Sequence, residues 1–170
     1  MSDALQPLAE KLRPKNFDEI IGHDKIFSKT GSLKRIIKKK PLSSFILWGP
    51  AGCGKTTIAK TVSKQFHTED FELSAVLSGV KDLRIIFEKA KKNFSEGRQT
   101  ILFIDEIHRF NKAQQDSFLP HIEKGEITLI GATTENPSFS IISPLLSRCQ
   151  DIKLEKLCKN CLLYTSPSPR

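Results

Sequence analysis

The chain has 170 residues, of which 38% are hydrophobic and 27% are charged, a composition typical of a soluble globular protein with one hydrophobic core. No apolar run approaches the roughly 20 residues of a membrane-spanning helix, and the first residues show no secretory-signal pattern, so we expect neither a membrane protein nor a secreted one. The formal net charge of +8 favours a polyanionic partner such as nucleic acid, although composition alone is weak evidence for one.

The four cysteines do not form the pattern of a disulfide-stabilised protein. Cys53 lies inside a glycine-rich stretch, and Cys158 and Cys161 form a lone C-x-x-C pair with no second pair to complete a zinc site. Cysteines used in this way indicate a reducing compartment, which favours the cytoplasm. We therefore assign the cysteines no metal or redox function.

The first predicted element is a basic amphipathic helix that runs from Ser32 to Lys40 and ends before Pro41. Residues 1–24, which precede it, form a polar lead-in. Two interpretations of the cationic face of this helix stay open, namely contact with DNA phosphates or a solvated basic surface. The cationic residues are Lys34, Arg35, Lys38, Lys39 and Lys40.

The most informative stretch follows the apolar run Phe45–Trp48, which is typical of a buried parallel strand. It matches the G-x-x-x-x-G-K-[ST] pattern that surrounds nucleotide phosphates. Glycines let backbone N–H groups approach anionic oxygens, Lys55 supplies a cation for the β- and γ-phosphates, and the Thr56 hydroxyl is a ligand for Mg²⁺. A helix predicted from Thr57 to Phe66 adds the anion attraction of its N-terminus. The predicted phosphate-binding residues are Gly49, Pro50, Ala51, Gly52, Cys53, Gly54, Lys55, Thr56 and Thr57.

A short strand and a long helix are predicted next. The strand covers Phe71–Ser74. In the helix, apolar residues recur at three- and four-residue steps, which is the spacing of one buried helical face. We assign every member of this stripe to the core: Val80, Leu83, Phe87, Ala90 and Phe94.

A second informative stretch is the buried-strand run Thr100–Ile104, which ends in the acidic pair Asp105 and Glu106. An acid at the C-terminal end of a neighbouring strand can hold Mg²⁺, and the adjacent carboxylate can activate the attacking water as a general base. With His108 the pair spells the D-E-x-H of many helicases. The sequence lacks the further arginine-bearing helicase motifs, so this spelling alone decides little.

The next helix is predicted to begin at Asn111, because Gln114 three residues later completes a capping box. It is expected to end near Glu123, with Phe118, Leu119 and Ile122 packed inward. A third parallel strand is predicted over Ile127–Ile130, followed by a polar segment that ends in Thr133 and Thr134.

The last predicted elements are a short helix and a strand. Ser143 is expected to cap the helix, with Pro144 at its first position and Arg148 near its end. The strand runs from about Gln150 to Leu154. Strands and helices therefore alternate, which predicts a parallel α/β sheet with helices on both faces and a ligand site at the carboxyl ends of the strands.

Two long runs, Asp105–Asp116 and Gly131–Pro137, resemble one family in particular. The sequence is similar to the AAA+ ATPases and, among them, to the replication-associated recombination protein A (RarA or MgsA) family. The resemblance covers about residues 5–156. The further matching stretches are Leu8–Pro14, Ile21–Gly22, Ile46–Pro50, Ser74–Val76, Ser78–Asp82 and Ser147–Cys149.

The resemblance implies a P-loop NTPase (AAA+) fold, that is, a three-layer α/β core around a mostly parallel five-stranded sheet. It implies ATP and Mg²⁺ as ligands, with Thr56 and Asp105 on the metal and Glu106 as the residue that activates water. Lys55 is expected to act in catalysis as well as in phosphate binding.

Further site residues are implied by the same resemblance. Thr133 is expected to sense the γ-phosphate, with Thr134 as the alternative, and Arg148 to complete the ATP site of a neighbouring subunit. The segment that contacts adenine is expected to include Arg13, Ile21 and Gly22.

Three regions are expected along the chain: a nucleotide-contacting segment over residues 1–24, an ATPase core over residues 25–156, and a tail over residues 157–170. Family members continue with a helical lid and a C-terminal oligomerisation domain, which we expect to be absent here. The tail repeats Ser-Pro without helical or strand periodicity, which predicts a disordered segment that is foreign to the domain.

The function implied by the resemblance is that of a DNA-dependent ATPase in replication-fork maintenance, recombination and DNA repair. Expected partners are DNA forks, gaps or junctions, further copies of the full-length protein in a homo-oligomer, and replication proteins such as single-strand-binding protein. A cytoplasmic, nucleoid-associated location with no membrane partner is expected. The alternatives are a clamp-loader subunit, a Holliday-junction branch-migration motor and, in another class, a non-catalytic ATP-dependent scaffold. Glu106 disfavours the scaffold, which needs no water-activating acid.

Overall fold

Five strands form one sheet in the computed structural model, which describes residues 32–39, 41–66 and 68–155. The strand order is β2-β3-β4-β1-β5, and each neighbouring pair is parallel. The predicted parallel α/β sheet of five strands is therefore confirmed. The strands are β1 (Phe45–Trp48), β2 (Glu69–Ser74), β3 (Thr100–Asp105), β4 (Ile127–Thr133) and β5 (Gln150–Lys153).

Helices cover both faces of the sheet and make the core three layers thick. Helices α1 and α2 pack on one face, and α3, α4 and α6 pack on the other. Both faces of β3 and β4 are therefore covered, which explains why these strands are continuous apolar runs. Within the described residues the helices are α1 (Ser32–Lys38), α2 (Lys55–Gln65), α3 (Val80–Ser95), α4 (Lys112–Glu123), α5 (Pro137–Ser140), α6 (Ser143–Arg148) and a 3₁₀ helix (Ile107–Arg109).

The buried face of α3 differs from the predicted stripe. Val80 and Phe94 are 57% and 49% exposed, so their assignment to the core was wrong. Asn93 is buried instead, because its side-chain amide donates hydrogen bonds to the Glu69 carboxylate and, at 3.0 Å, to Thr100 Oγ1. The buried residues of α3 are Leu83, Ile86, Ala90 and Asn93.

The start of α4 confirms the capping box. Asn111 Oδ1 accepts a hydrogen bond from the Gln114 amide at 2.8 Å, and Gln114 Oε1 accepts one from the Asn111 amide at 2.9 Å. The start of α6 differs in detail from its prediction. Ser143 is inside the helix, and Ile142 occupies the cap position without a side-chain hydrogen bond.

Some predictions fall outside the described residues, among them the adenine contacts of Arg13, Ile21 and Gly22 and the assignment of residues 157–170 as a foreign tail. The division of the chain into three regions also stays a prediction. Among the helices that the structure describes, none has both the length and the apolar character required to traverse a lipid bilayer.

Candidate functional site

The loop between β1 and α2 has the backbone of an anion-binding turn. Gly52 and Gly54 have φ angles of 77° and 91°, in the left-handed region where a side chain would be strained. Gly54 is the N-cap of α2 and supplies no side-chain hydrogen bond. The first N–H groups of this 11-residue helix are therefore available to an anion rather than to a capping side chain.

Gly49 fixes the start of this loop by close packing. A Cβ atom built on Gly49 would lie 2.4 Å from the carbonyl oxygen of Leu154, the first residue after β5 ends. The Gly49 amide donates to the Thr133 carbonyl at 3.2 Å, and the Leu154 amide donates to the Trp48 carbonyl at 2.7 Å. The loop therefore begins in a space that admits only glycine, between the ends of β4 and β5.

The Lys55 side chain folds back along the loop and is only 8% exposed. Its Nζ donates hydrogen bonds to the carbonyl oxygens of Gly49, at 2.8 Å, and Pro50, at 3.0 Å, and lies 3.7 Å from Cys53 Sγ. Neutral carbonyls hold a cation less strongly than an anionic oxygen does. The ammonium is thus kept beside the loop by partners that a phosphate group can replace.

The acidic pair forms a tight turn at the end of β3. Glu106 has φ 56° and ψ 42°, and it is the one non-glycine residue with a positive φ in the described part of the chain. Such a left-handed conformation costs roughly 1–2 kcal/mol for a residue with a side chain. The Glu106 amide donates to Asp105 Oδ1 at 3.0 Å, which supports the turn. The strain is thus located at the residue that the sequence singled out for catalysis.

These elements meet in one cavity of about 420 Å³ at the carboxyl ends of β1, β3 and β4. The glycine loop and the acidic pair therefore line one cavity at the edge where the sequence predicts a ligand site, with Thr134 there in place of Thr133. Gly49 and Pro50 do not line the cavity, and they act on it through the packing and the Lys55 hydrogen bonds described above. The lining residues are Ala51, Gly52, Cys53, Gly54, Lys55, Thr56, Thr57, Asp105, Glu106 and Thr134.

The two threonines at the end of β4 have different surroundings. Thr133 is fully buried, and its hydroxyl accepts a hydrogen bond from the Glu135 amide at 3.0 Å and lies 2.7 Å from His108 Nδ1. Thr134 is exposed and lines the cavity. β4 ends at the buried Thr133, and Thr134 is the first residue after the strand. Of the two, Thr134 lines the cavity.

His108 is a site residue to which sequence reasoning gave no role. Its Nε2 lies 3.3 Å from Glu106 Oε2, so the ring lies between Glu106 and Thr133. The D-E-x-H spelling contained the signal. A 3₁₀ helix begins directly after Glu106, and this tight turn brings the histidine back beside the glutamate.

Arg148, at the end of α6, does not line the cavity of its own chain. Its guanidinium forms an ion pair with Glu123, at the end of α4. It also donates hydrogen bonds to the Pro144 carbonyl at 3.0 Å and to Ser147 Oγ at 3.2 Å. These partners belong to the same chain and lie at its surface, so the arginine is accessible to a neighbouring molecule.

The residues present fit a nucleoside triphosphate with Mg²⁺. Mg²⁺ is usually held by one or two protein oxygens together with phosphate oxygens, and Thr56 and Asp105 supply such oxygens in the cavity. In the part of the chain that the structure describes, no group of three or more His, Cys, Asp or Glu side chains could hold a metal without help. This donor set suits a metal that arrives with phosphates.

The parallel sheet, the glycine loop after β1 and the acidic pair after β3 define a P-loop NTPase. Residues 45–156 match the family described as "ATPase family associated with various cellular activities (AAA)", and the chain belongs to this family. The resemblance noted in the sequence is thus confirmed at the level of the family.

Similar proteins of known name support the finer resemblance. Replication-associated recombination protein A of Escherichia coli strain K12 is 50% identical over 155 residues, which are 91% of this chain and 35% of that protein. ATPase WRNIP1 of Dictyostelium discoideum is 50% identical over 156 residues, 92% of this chain and 18% of that protein. The chain therefore spans about a third or less of the length of these relatives.

Solved structures of Thermotoga maritima RuvB have a similar fold. One, described as a Holliday junction branch migration motor, is 34% identical with a TM-score of 0.67, and the match covers 85% of this chain and 48% of that one. A mutant of the same protein is 31% identical with a TM-score of 0.71, over 88% and 52% of the two chains. The predicted AAA+ fold is therefore confirmed.

Proposed function

We propose that this chain binds ATP with Mg²⁺ in the cavity at the end of β1 and hydrolyses it, as the ATPase core of a DNA-dependent protein in replication-fork maintenance, recombination and repair. The observation that supports this proposal most strongly is the meeting of the glycine loop, the acidic pair and Thr134 in one cavity. Each meets a different requirement of phosphoryl transfer. The loop binds phosphate, the acidic pair activates water, and Thr134 offers a polar contact to the terminal phosphate.

Phosphate binding falls to the loop and Lys55. The N–H groups at the start of α2 attract the phosphates, and the Lys55 ammonium exchanges its carbonyl partners for phosphate oxygens. Thr56 and Asp105 hold Mg²⁺, which when bound neutralises part of the phosphate charge. The buried position of Lys55 strengthens its attraction for an anion, because less water screens the charge.

Water activation falls to Glu106. Its carboxylate lines the cavity next to Asp105 and accepts a proton from the attacking water. For the residue that senses the terminal phosphate we propose Thr134, because its side chain lines the cavity, whereas the Thr133 hydroxyl is buried beside His108. Thr133 then influences the site through its contact with His108, without contacting the nucleotide.

Arg148 is proposed to act on ATP bound by a neighbouring subunit of a homo-oligomer. Its exposure at the end of α6, away from the cavity of its own chain, supports a role in trans. A guanidinium brought to the phosphates neutralises charge that develops in the transition state. In this arrangement Arg148 exchanges Glu123 for a stronger anion.

DNA is the proposed macromolecular partner. The names of the relatives, the net charge of +8 and the exposed cations of α1 support this proposal. The exposed cations of α1 are Lys34, Arg35 and Lys38, with Lys39 directly after the helix. A branch-migration motor is the second candidate, and the similarity to RuvB favours it. Unwinding of a four-way junction in vitro separates this motor from the first proposal.

The first experiment measures nucleotide affinity. Lys55→Ala is expected to weaken binding of a nonhydrolysable ATP analogue by at least about tenfold, because a charged hydrogen bond contributes about 1.5–3 kcal/mol. Lys64→Ala, on the exposed side of the same helix, removes the same charge and is expected to bind normally. Equal affinities in the two variants would contradict the proposed site.

The second experiment measures turnover with and without DNA. Glu106→Gln keeps the size of the side chain but cannot take a proton from water, so it is expected to bind ATP and not to hydrolyse it. A parent protein that binds ATP without turning it over under either condition would favour the scaffold alternative.

A further inference from the structure

His108 lies between the general-base candidate and β4, with one ring nitrogen facing each. The His108 side chain is only 8% exposed. Its Nε2 faces Glu106 Oε2 at 3.3 Å and Glu135 Oε1 at 4.0 Å, while its Nδ1 faces Thr133 Oγ1 at 2.7 Å. The Thr133 hydroxyl in turn accepts a hydrogen bond from the Glu135 amide.

The partners determine where the protons lie. A carboxylate only accepts hydrogen bonds, so a hydrogen bond across the 3.3 Å between His108 Nε2 and Glu106 requires a proton on Nε2. In a neutral imidazole Nδ1 is then an acceptor, and the Thr133 hydroxyl must donate to it. In this arrangement the Glu135 amide donates to Thr133, Thr133 donates to His108, and the protonated His108 Nε2 faces the Glu106 carboxylate at 3.3 Å.

Glu106 needs such a support. Its backbone is strained, its side chain is 30% exposed, and an unsupported glutamate would populate several rotamers. Its neighbour Ile107 is fully buried against the sheet, which fixes the 3₁₀ helix that holds the histidine. A general base is effective only when it is held within hydrogen-bond reach of the water it activates.

We propose that His108 is a positioning residue for Glu106, and that Thr133 fixes the tautomer of His108. The proposal rests on the ATPase function proposed above. It gives Thr133 a role in the reaction without contact to the nucleotide, whereas Thr134 lines the cavity. Loss of a supporting hydrogen bond of this kind lowers activity by roughly 10- to 100-fold.

The first test reads the proton positions directly. Long-range ¹H–¹⁵N NMR of the full chain is expected to show a proton on Nε2 of His108 and none on Nδ1. Thr133→Val has the same shape but no hydroxyl, so it is expected to give a mixture of His108 tautomers, whereas Thr133→Ser retains the parent spectrum. His121, which pairs with Glu126, is the reference that should not respond. A His108 proton on Nδ1, or a spectrum unchanged by Thr133→Val, would overturn the proposal.

The second test uses two replacements of His108. The amide of Gln can place a donor near the position of Nε2, whereas the shorter Asn can contact Thr133 but cannot reach Glu106. His108→Asn is expected to lower kcat roughly 10- to 100-fold with unchanged affinity for a nonhydrolysable analogue, and His108→Gln to recover part of the rate. Parent rates in His108→Asn, or a loss of affinity equal to the loss of rate, would refute the positioning role.

Glu106→Gln distinguishes failure of this inference from failure of the proposed function. If Glu106→Gln hydrolyses ATP at the parent rate, the proposed function is wrong. If Glu106→Gln is inactive and His108→Asn is fully active, only the positioning role is wrong. In a preparation without turnover, the NMR result decides the inference by itself.

Discussion

Gly49→Ala is expected to lower both the free energy of unfolding and the affinity for nucleotide. The added methyl group would lie 2.4 Å from the backbone oxygen of Leu154, about 1 Å closer than an ordinary contact. Because that oxygen belongs to the backbone, the chain after β5 must move. The movement strains the hydrogen bond between the Leu154 amide and the Trp48 carbonyl.

The magnitude follows from three terms. Overpacking of this kind costs about 1–3 kcal/mol, and one lost hydrogen bond about 1 kcal/mol. Replacing glycine by alanine returns about 0.5 kcal/mol by restricting the unfolded chain. The expected net loss is therefore about 1.5–3.5 kcal/mol. The displaced loop is also expected to bind an ATP analogue more weakly, since Lys55 bonds to the Gly49 carbonyl.

Gly131→Ala is the matched control. Its methyl group would meet side-chain atoms of Ile107 and Ile46 at 3.2–3.4 Å, and these atoms can shift by a few tenths of an ångström. We expect a loss of about 1 kcal/mol or less, because side chains relax more easily than backbone. Urea unfolding followed by circular dichroism compares the two variants. A Gly131→Ala protein less stable than Gly49→Ala would refute the reasoning.

Three further predictions concern the core, a cysteine and the subunit contact. Phe118→Ala is expected to cost about 3–5 kcal/mol in urea unfolding, because Phe118 is fully buried against the rings of Phe87 and Phe110. Burial raises the pKa of the Cys149 thiol from 9.0 to about 12, so the unfolded chain loses this proton at a lower pH than the folded chain does. The contribution of this thiol to the free energy of unfolding is therefore complete below pH 9 and is lost as the pH rises toward 12. The folded chain should accordingly alkylate at Cys149 more slowly than the urea-unfolded chain at pH 8, which peptide mapping measures. In the full-length protein, mixing the Arg148→Ala and Lys55→Ala variants, each expected to be inactive alone, should restore part of the ATP turnover, and no restoration would contradict a role in trans.

The motifs of the site were predictable because their chemistry is local. The glycine loop and the acidic pair each occupy consecutive residues after an apolar strand, and parallel strands bring their carboxyl ends to one edge. The capping box of α4 is local in the same sense, since Asn111 and Gln114 bond to each other. Sequence spacing alone determines such features.

The orientation of α3 was less predictable because it depends on distant partners. Periodicity located the helix and the buried Leu83 and Ala90. It could not show that Asn93 would be buried, since the partners of its amide are Glu69 and Thr100 in two neighbouring strands. These hydrogen bonds turn Asn93 toward the sheet and leave Phe94 exposed, and the spacing of apolar residues does not record them.

The two threonines at the end of β4 show the effect of a strand boundary. The sequence predicts a strand over Ile127–Ile130, but β4 continues to Thr133. The apolar pattern stops at Ile130, so it could not show that Thr133 is still in the buried strand and that Thr134 is the first residue after it. The contact between His108 and Glu106 was hidden for a related reason, since it depends on the 3₁₀ turn.

The pairing of Arg148 with Glu123 has a consequence for assembly. Ion pairs at a protein surface contribute at most about 1 kcal/mol to stability, so Glu123 holds the Arg148 guanidinium in a defined place by a contact that is easily exchanged. In a free subunit the Glu123 carboxylate offsets the positive charge of Arg148. This charge becomes available when a more strongly charged anion competes for the guanidinium. Under the proposed function, a subunit therefore binds more tightly to a neighbour that holds a nucleoside triphosphate than to one with an empty site. The affinity between subunits then depends on the state of the nucleotide.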